Sequence, residues 1–264
     1  MSLFPYSGAH AVQSAAFALE WNDELSDAEL AAISAAHDQL KSSLPNSAPI
    51  QAFLVQMGHI SGTNPISTSS TAGYVFSRQG SVGPARALEI HRNRIVGQVN
   101  DYTRWEPVWN EVKSWFATVC PLINRRIISN VGLQYNDIFH WRDSPQSLDL
   151  KAVFKEDSPL LPKNIFDLSG LWHSHHGYFM DMLEPMQHRL LENVNVGIIE
   201  ELGQRSIVIT TVHKAEISHN WCWDDLSKQI DPLMASMHSR NKQALGNLLS
   251  SNAADMISLN KGAN

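Results

Sequence analysis

Cysteine is scarce. The chain of 264 residues has two, Cys120 and Cys222. A disulfide framework is excluded, and free thiols in a reducing compartment are expected. Long apolar runs are also missing: no stretch approaches the roughly 18 uninterrupted apolar residues that suggest a membrane span. Met1 to His10 hold no lysine or arginine and no apolar core, so no secretory signal is read there. Charged residues are 17% and hydrophobic residues 43%. That is too little charge for a coiled-coil rod and too much apolar content for a disordered chain. Acidic residues outnumber basic ones 26 to 20, giving a net charge of −6, so nothing draws the whole chain to phosphate backbones. There is no P-loop, no G-x-G-x-x-G, no G-x-S-x-G and no H-E-x-x-H. The expectation is a cytoplasmic globular protein with no membrane association and no cofactor, for which a protein partner or a second copy is favoured over nucleic acid.

What is present is an alternation of strand and helix patterns. Ala11 to Trp21 alternates, with Phe17, Leu19 and Trp21 on one side. Ser26 and Glu29 have capping-box spacing, Leu30, Ile33, His37, Leu40 and Leu44 follow at helical spacing, and Pro45 ends the run. Ile50 to Met57 reads as a strand, and the Ser/Thr/Gly-rich stretch Ile60 to Ala72 as a loop. Strands are expected over Gly73 to Arg78, Ala85 to His91 and Arg94 to Val99. Thr103 and Glu106 suggest a second capping box, opening a helix over Thr103 to Leu122. Its inward stripe would be Trp105, Val108, Trp109, Val112, Phe116 and Val119, with Trp115 flanking it.

Arg126 to Trp141 is a long alternating strand with Gly132 as a candidate bulge. A short helix is expected over Leu148 to Phe154. Strands follow over Leu168 to Met180, Glu192 to Leu202 and Arg205 to Ser218, with a hairpin turn at Gly203-Gln204. The last long helix is expected over Asp225 to Leu249, irregular near Pro232.

This order predicts an α+β fold: an antiparallel sheet with two long helices on one face. It reads as two similar β-α-β-β-β-α halves, 1–124 and 125–250, sharing one sheet, with 251–264 as a tail. A TATA-binding-protein-like or helix-grip-like arrangement has this element order. Helices on one side leave the other face for solvent or a partner.

The sharpest local feature is Trp172-His173-Ser174-His175-His176. On a strand, His173 and His175 share a face about 6.5–7 Å apart and could hold a metal with a third ligand. Asp137, His140, His213 and Glu216 are candidates for that ligand; the alternative is a histidine-lined groove. Neutral imidazoles suit recognition because they donate and accept without a fixed charge. The basic residues Arg92, Arg94, Arg125 and Arg126 are the candidates for a local nucleic-acid patch. Cys120, between Val119 and Pro121, reads as core.

Two segments carry a resemblance. Tyr102-Thr103-Arg104-Trp105 opens a helix, and Gly132-Leu133-Gln134-Tyr135 lies on the long strand some distance later. Together they resemble an uncharacterised, sporadically distributed bacterial family with a Tyr-x-x-Trp helix start and a Gly-Leu-Arg-Tyr strand. Gln134 stands where relatives place arginine. The patchy distribution implies accessory biology, such as a defence or immunity component.

The expected activity is therefore non-enzymatic binding of a protein partner through the open sheet face, at His173, His175, Tyr178, Gln134 and Asn136. The alternatives are an enzyme built on His173 and His175, or a nucleic-acid-binding accessory protein.

Overall fold

The computed structural model describes residues 2–55 and 67–259. It is an α+β fold on one large antiparallel sheet. The strands are β1 (Leu3–Pro5), β2 (Val12–Trp21), β3 (Asn46–Val55), β4 (Ser67–Gln79), β5 (Pro84–His91), β6 (Arg94–Val99), β7 (Ile128–Trp141), β8 (His173–Met182), β9 (His188–Glu201) and β10 (Gln204–Trp221). Their order across the sheet is β3-β4-β5-β6-β2-β7-β10-β9-β8, with β1 pairing β7. The helices are α1 (Asp27–Leu40), α2 (Trp105–Val119), α3 (Trp223–Leu226), α4 (Ile230–Leu248) and α5 (Ser251–Met256).

Alternation fixes which face is covered. On β2 and β7 the odd-numbered residues Ala15, Phe17, Leu19, Val131, Leu133 and Tyr135 are buried, and the register sets Phe17 opposite Leu133 and Leu19 opposite Val131. A one-residue slip would turn this whole set to solvent, so burial holds the register. α2 lays Val108, Trp109, Val112, Trp115, Phe116 and Val119 on that face, with Trp109 stacked on Phe17 at 5.6 Å. It comes close at β6, where a Cβ on Gly97 would lie 2.7 Å from Val112 Cγ1. α4 covers the same face, because its Asn241 accepts a hydrogen bond from Thr211 Oγ1 and Thr211 stands opposite Tyr135. The two helices are tied where Trp109 Nε1 donates to Asp231 Oδ1 at 2.9 Å.

Several local expectations hold. Ser26 and Glu29 form the reciprocal capping box. Glu29 is also gripped by Arg126, which holds its carboxyl down at about 2. Cys120 is buried, and burial pushes its thiol well up.

Others are corrected. Arg104, not Thr103, is the residue before α2, and no side chain caps that end. Trp115 is fully buried rather than flanking, because α1's end packs there and its indole N–H donates to Ser43 Oγ. Gly132 carries no bulge; the irregularities in the pairings of β7 lie at Val12/Ser14 and Glu20/Trp21 on β2, and at Glu216/Trp221 on β10. The hairpin turn is Leu202-Gly203, both at positive φ, and Gln204 already pairs with Glu201. This is the arrangement whose twist matches the strands.

The last helix is split into α3 and α4. Pro232 stands at the third position of α4, where no intrahelical donor is required. Ser67 to Ala72 belong to β4 rather than to a loop, since their backbone pairs with β3. The remainder of that expected loop, and Gln56 and Met57 of the expected strand, lie outside the described residues. Between α1 and α2 stand four strands. Only a one-turn 3-10 helix at Leu150–Ala152 occupies the expected Leu148 to Phe154 helix.

Candidate functional site

The uncovered face of the sheet is built from the even residues of β2, β7 and β10 and the odd residues of β8 and β9. Its centre is a band of polar side chains in register: Ser14 on β2, Asn136 on β7, Thr210 on β10, Asn195 on β9 and His175 on β8. Asn136 sits at its middle, donating to Ser14 Oγ and accepting from Thr210 Oγ1, each at 2.9 Å. The next row is Ala16, Gln134, Val212, Asn193 and Gly177. The Asn193 amide lies 3.4 Å from His175 Nε2, while its own carbonyl oxygen is covered and has no donor. At one end of the band, Gly197 leaves a shallow notch of about 340 Å³ floored by Val208 and Thr210 and edged by His173, His175 and Asn195.

Thus four of the five expected residues, His173, His175, Gln134 and Asn136, are brought to one face. Tyr178 is not. Two residues from His176 and five from His173, its parity turns it under the helices, where its hydroxyl donates to Glu192 Oε1 at 2.6 Å. The expected third metal ligands are dispersed as well. Asp137 and His213 lie on the helix-covered face, Glu216 is paired with Arg189, and His140 bonds Ser206. Among the described residues no three His, Cys, Asp or Glu side chains converge on a metal-sized point. The expected basic patch is partly consumed: Arg92 pairs with Asp27 and Arg126 with Glu29.

A second arrangement lies beneath the sheet. The apolar core falls into two clusters, one under α1 and α2 and one around the C-terminal part of α4 with α5. Between them runs a polar seam. Glu192 accepts from Tyr178 and from Arg240 Nε at 2.7 Å, and fully buried His213 lies 3.7 Å from the same carboxylate. Burial lowers His213 to about 4, although the Glu192 charge opposes the shift. Tyr135 hydroxyl meets His238 Nδ1 at 3.0 Å, and the His238 ring stacks flat on Trp105 at 4.2 Å. Burial, aided by Lys242, lowers His238 to about 4.

The seam opens into a cleft of about 360 Å³ between β2, β7, the start of α2 and α4. Asp137 lines it. This carboxyl is 1% exposed, one of its oxygens is covered with no hydrogen-bond partner, and burial raises it to about 7. The sequence signal was available: Asp137 is the one charged residue in the inward series Val131, Leu133, Tyr135, Asp137, Phe139. Its neighbours around the cleft were not legible, because they come from four distant segments.

No protein-family model and no curated protein matches the chain.

Proposed function

We propose that this chain is a non-enzymatic binding protein and that a polypeptide lies on the bare sheet face. The observation that carries the reading is the in-register band Ser14, Asn136, Thr210, Asn195 and His175 on a face that no described helix covers. Amides and hydroxyls both donate and accept, so they match peptide groups without selecting a charge. Ala16, Ala18 and Gly132 keep the floor shallow beside them. The ionic groups at the margins are already paired, Lys214 with Glu20 and Arg189 with Glu216. A phosphodiester partner would instead need cations free to displace counterions. A second copy of this chain is one polypeptide that satisfies the same chemistry.

The strand order supports reading the chain as two similar halves, 1–124 and 125–250. β2 and β7 lie side by side at the centre, and the last strand of each half, β6 or β10, returns beside the first. A TATA-binding-protein-like arrangement is the fold reading that accords best with this order. An accessory role, such as a defence or immunity component, accords with a neutral protein-binding face and rests on the family resemblance.

The test places charge in the neutral band. The double variant Gln134→Arg with Asn195→Arg is expected to keep its urea midpoint within about 0.5 kcal/mol of stability, as surface changes do. Its capture of partner polypeptide from host lysate should fall at least about ten-fold, since an unmatched charge in an interface is repulsive. Equal capture by the folded variant would overturn the reading.

A further inference from the structure

The geometry points to the cleft beneath the sheet as a separate binding site for a small amphoteric molecule: a nitrogen donor head, a flat body and an anionic group. Three observations converge on this. First, Asp137 lines the cleft with a covered oxygen that receives no hydrogen bond, so the floor offers an acceptor awaiting a donor. Buried carboxyl oxygens are almost always satisfied, and an exception calls for a partner. Second, Arg104 and Lys242 line the same cleft, and neither side chain makes an ion pair or hydrogen bond among the described residues. They disfavour a simple cation and suit a carboxylate or phosphate. Third, aromatic side chains line the same cleft: Tyr102, Tyr135 and Trp105. The Trp105 faces are taken by His238 and Trp109, and the two tyrosines meet edge-on, so these rings hold a flat body through edge contacts. A volume of about 360 Å³ fits one small molecule.

Two sources share this chemistry. An aromatic α-amino acid would set its ammonium on Asp137 and its carboxylate toward Lys242 and Arg104. A nucleoside monophosphate with an amine-bearing base would set that amine on Asp137 and its phosphate toward the same cations. The site is independent of the open face, so failure here leaves the proposed function standing.

The experiment is calorimetric titration of the full chain with phenylalanine, tryptophan, AMP and CMP. Donor-free matches, 3-phenylpropionate for phenylalanine and purine riboside 5′-monophosphate for AMP, serve as the amine-free controls. Saturable binding of at least one amine-bearing compound is expected, and whether amino acids or nucleotides bind identifies the source. Where the binder has an amine-free match, that match should bind at least about ten-fold more weakly. Asp137→Asn, and separately Lys242→Glu at the half-exposed mouth, should each weaken binding by at least about ten-fold. The inference is overturned if nothing saturates below about 10 mM. Equal binding of a binder and its amine-free match would also overturn it, as would wild-type affinity in both folded variants.

Discussion

Asp137→Asn is expected to stabilise the free protein at pH 8 and to leave its stability nearly unchanged at pH 4. The carboxyl is buried, receives no hydrogen bond among the described residues, and is raised by burial from 3.8 to about 7. In the folded chain it therefore holds its proton across a window where the unfolded chain has released it. Its contribution to stability is present below about 3.8 and is lost as pH rises through about 7. At pH 8 the ionised, unpartnered carboxylate costs the fold on the order of 4 kcal/mol relative to the unfolded chain, where it ionises freely. An amide of the same shape carries no such cost.

The titratable and charged groups that line the cleft with Asp137 are Tyr102, Tyr135, His10, His238, Arg104 and Lys242. His238 and His213 titrate in the opposite sense. Their pKa values are lowered to about 4, so their contribution is present above about 6.5 and is lost as pH falls toward 4. Both remain in the variant, so subtracting the two pH profiles isolates Asp137. Urea unfolding at pH 4, 6 and 8 makes the measurement, and a variant–wild-type difference that does not grow with pH would contradict the burial argument. If the cleft binds an amine-bearing ligand, the same substitution raises stability and removes affinity, as expected where a site holds an unfavourable group for function.

Trp109→Ala is expected to destabilise the chain by about 3–5 kcal/mol. The indole is 5% exposed, stacks on Phe17 at 5.6 Å and Trp105 at 6.1 Å, and meets Phe116 edge-on. It also joins α2 to α4 through Asp231, which Lys113 holds from α2 as well. Truncation leaves a cavity at the seam between both helices and the sheet, which close-packed neighbours fill only in part. Trp109→Phe keeps most of the ring and loses the N–H donor, and should cost about 1 kcal/mol. An unchanged urea midpoint for Trp109→Ala would mean that α2 does not bury this stripe.

The elements with strong periodicity were legible in the sequence. Phe17, Leu19 and Trp21 declare β2 by alternation, and the stripe from Val108 to Val119 declares α2, because one buried face imposes each period. Errors fell where a local rule competed with tertiary pairing. Ser67 to Ala72 look like a loop by composition, yet their backbone finds partners on β3. Trp115 looked peripheral on an isolated helix because the sequence does not show where α1 would pack. The polar face was legible from the parity of His173 and His175, and the same parity turns Tyr178 away. The cleft was legible only at Asp137, an inward charge in an apolar series. Tyr102, His238 and Lys242 reach it through the order of strands and helices, which no local pattern encodes.

Photo-crosslinking in the host cell tests the binding-face reading most directly. A benzophenone amino acid placed at Val212, in the row beside Gln134, samples the bare face; the same probe at exposed Asn110 of α2 samples the covered side. The account predicts a discrete polypeptide adduct from position 212, resistant to nuclease and absent from position 110, with its mass identifying another protein or a second copy. A nuclease-sensitive adduct, equal labelling from both positions, or no adduct at 212 would contradict it.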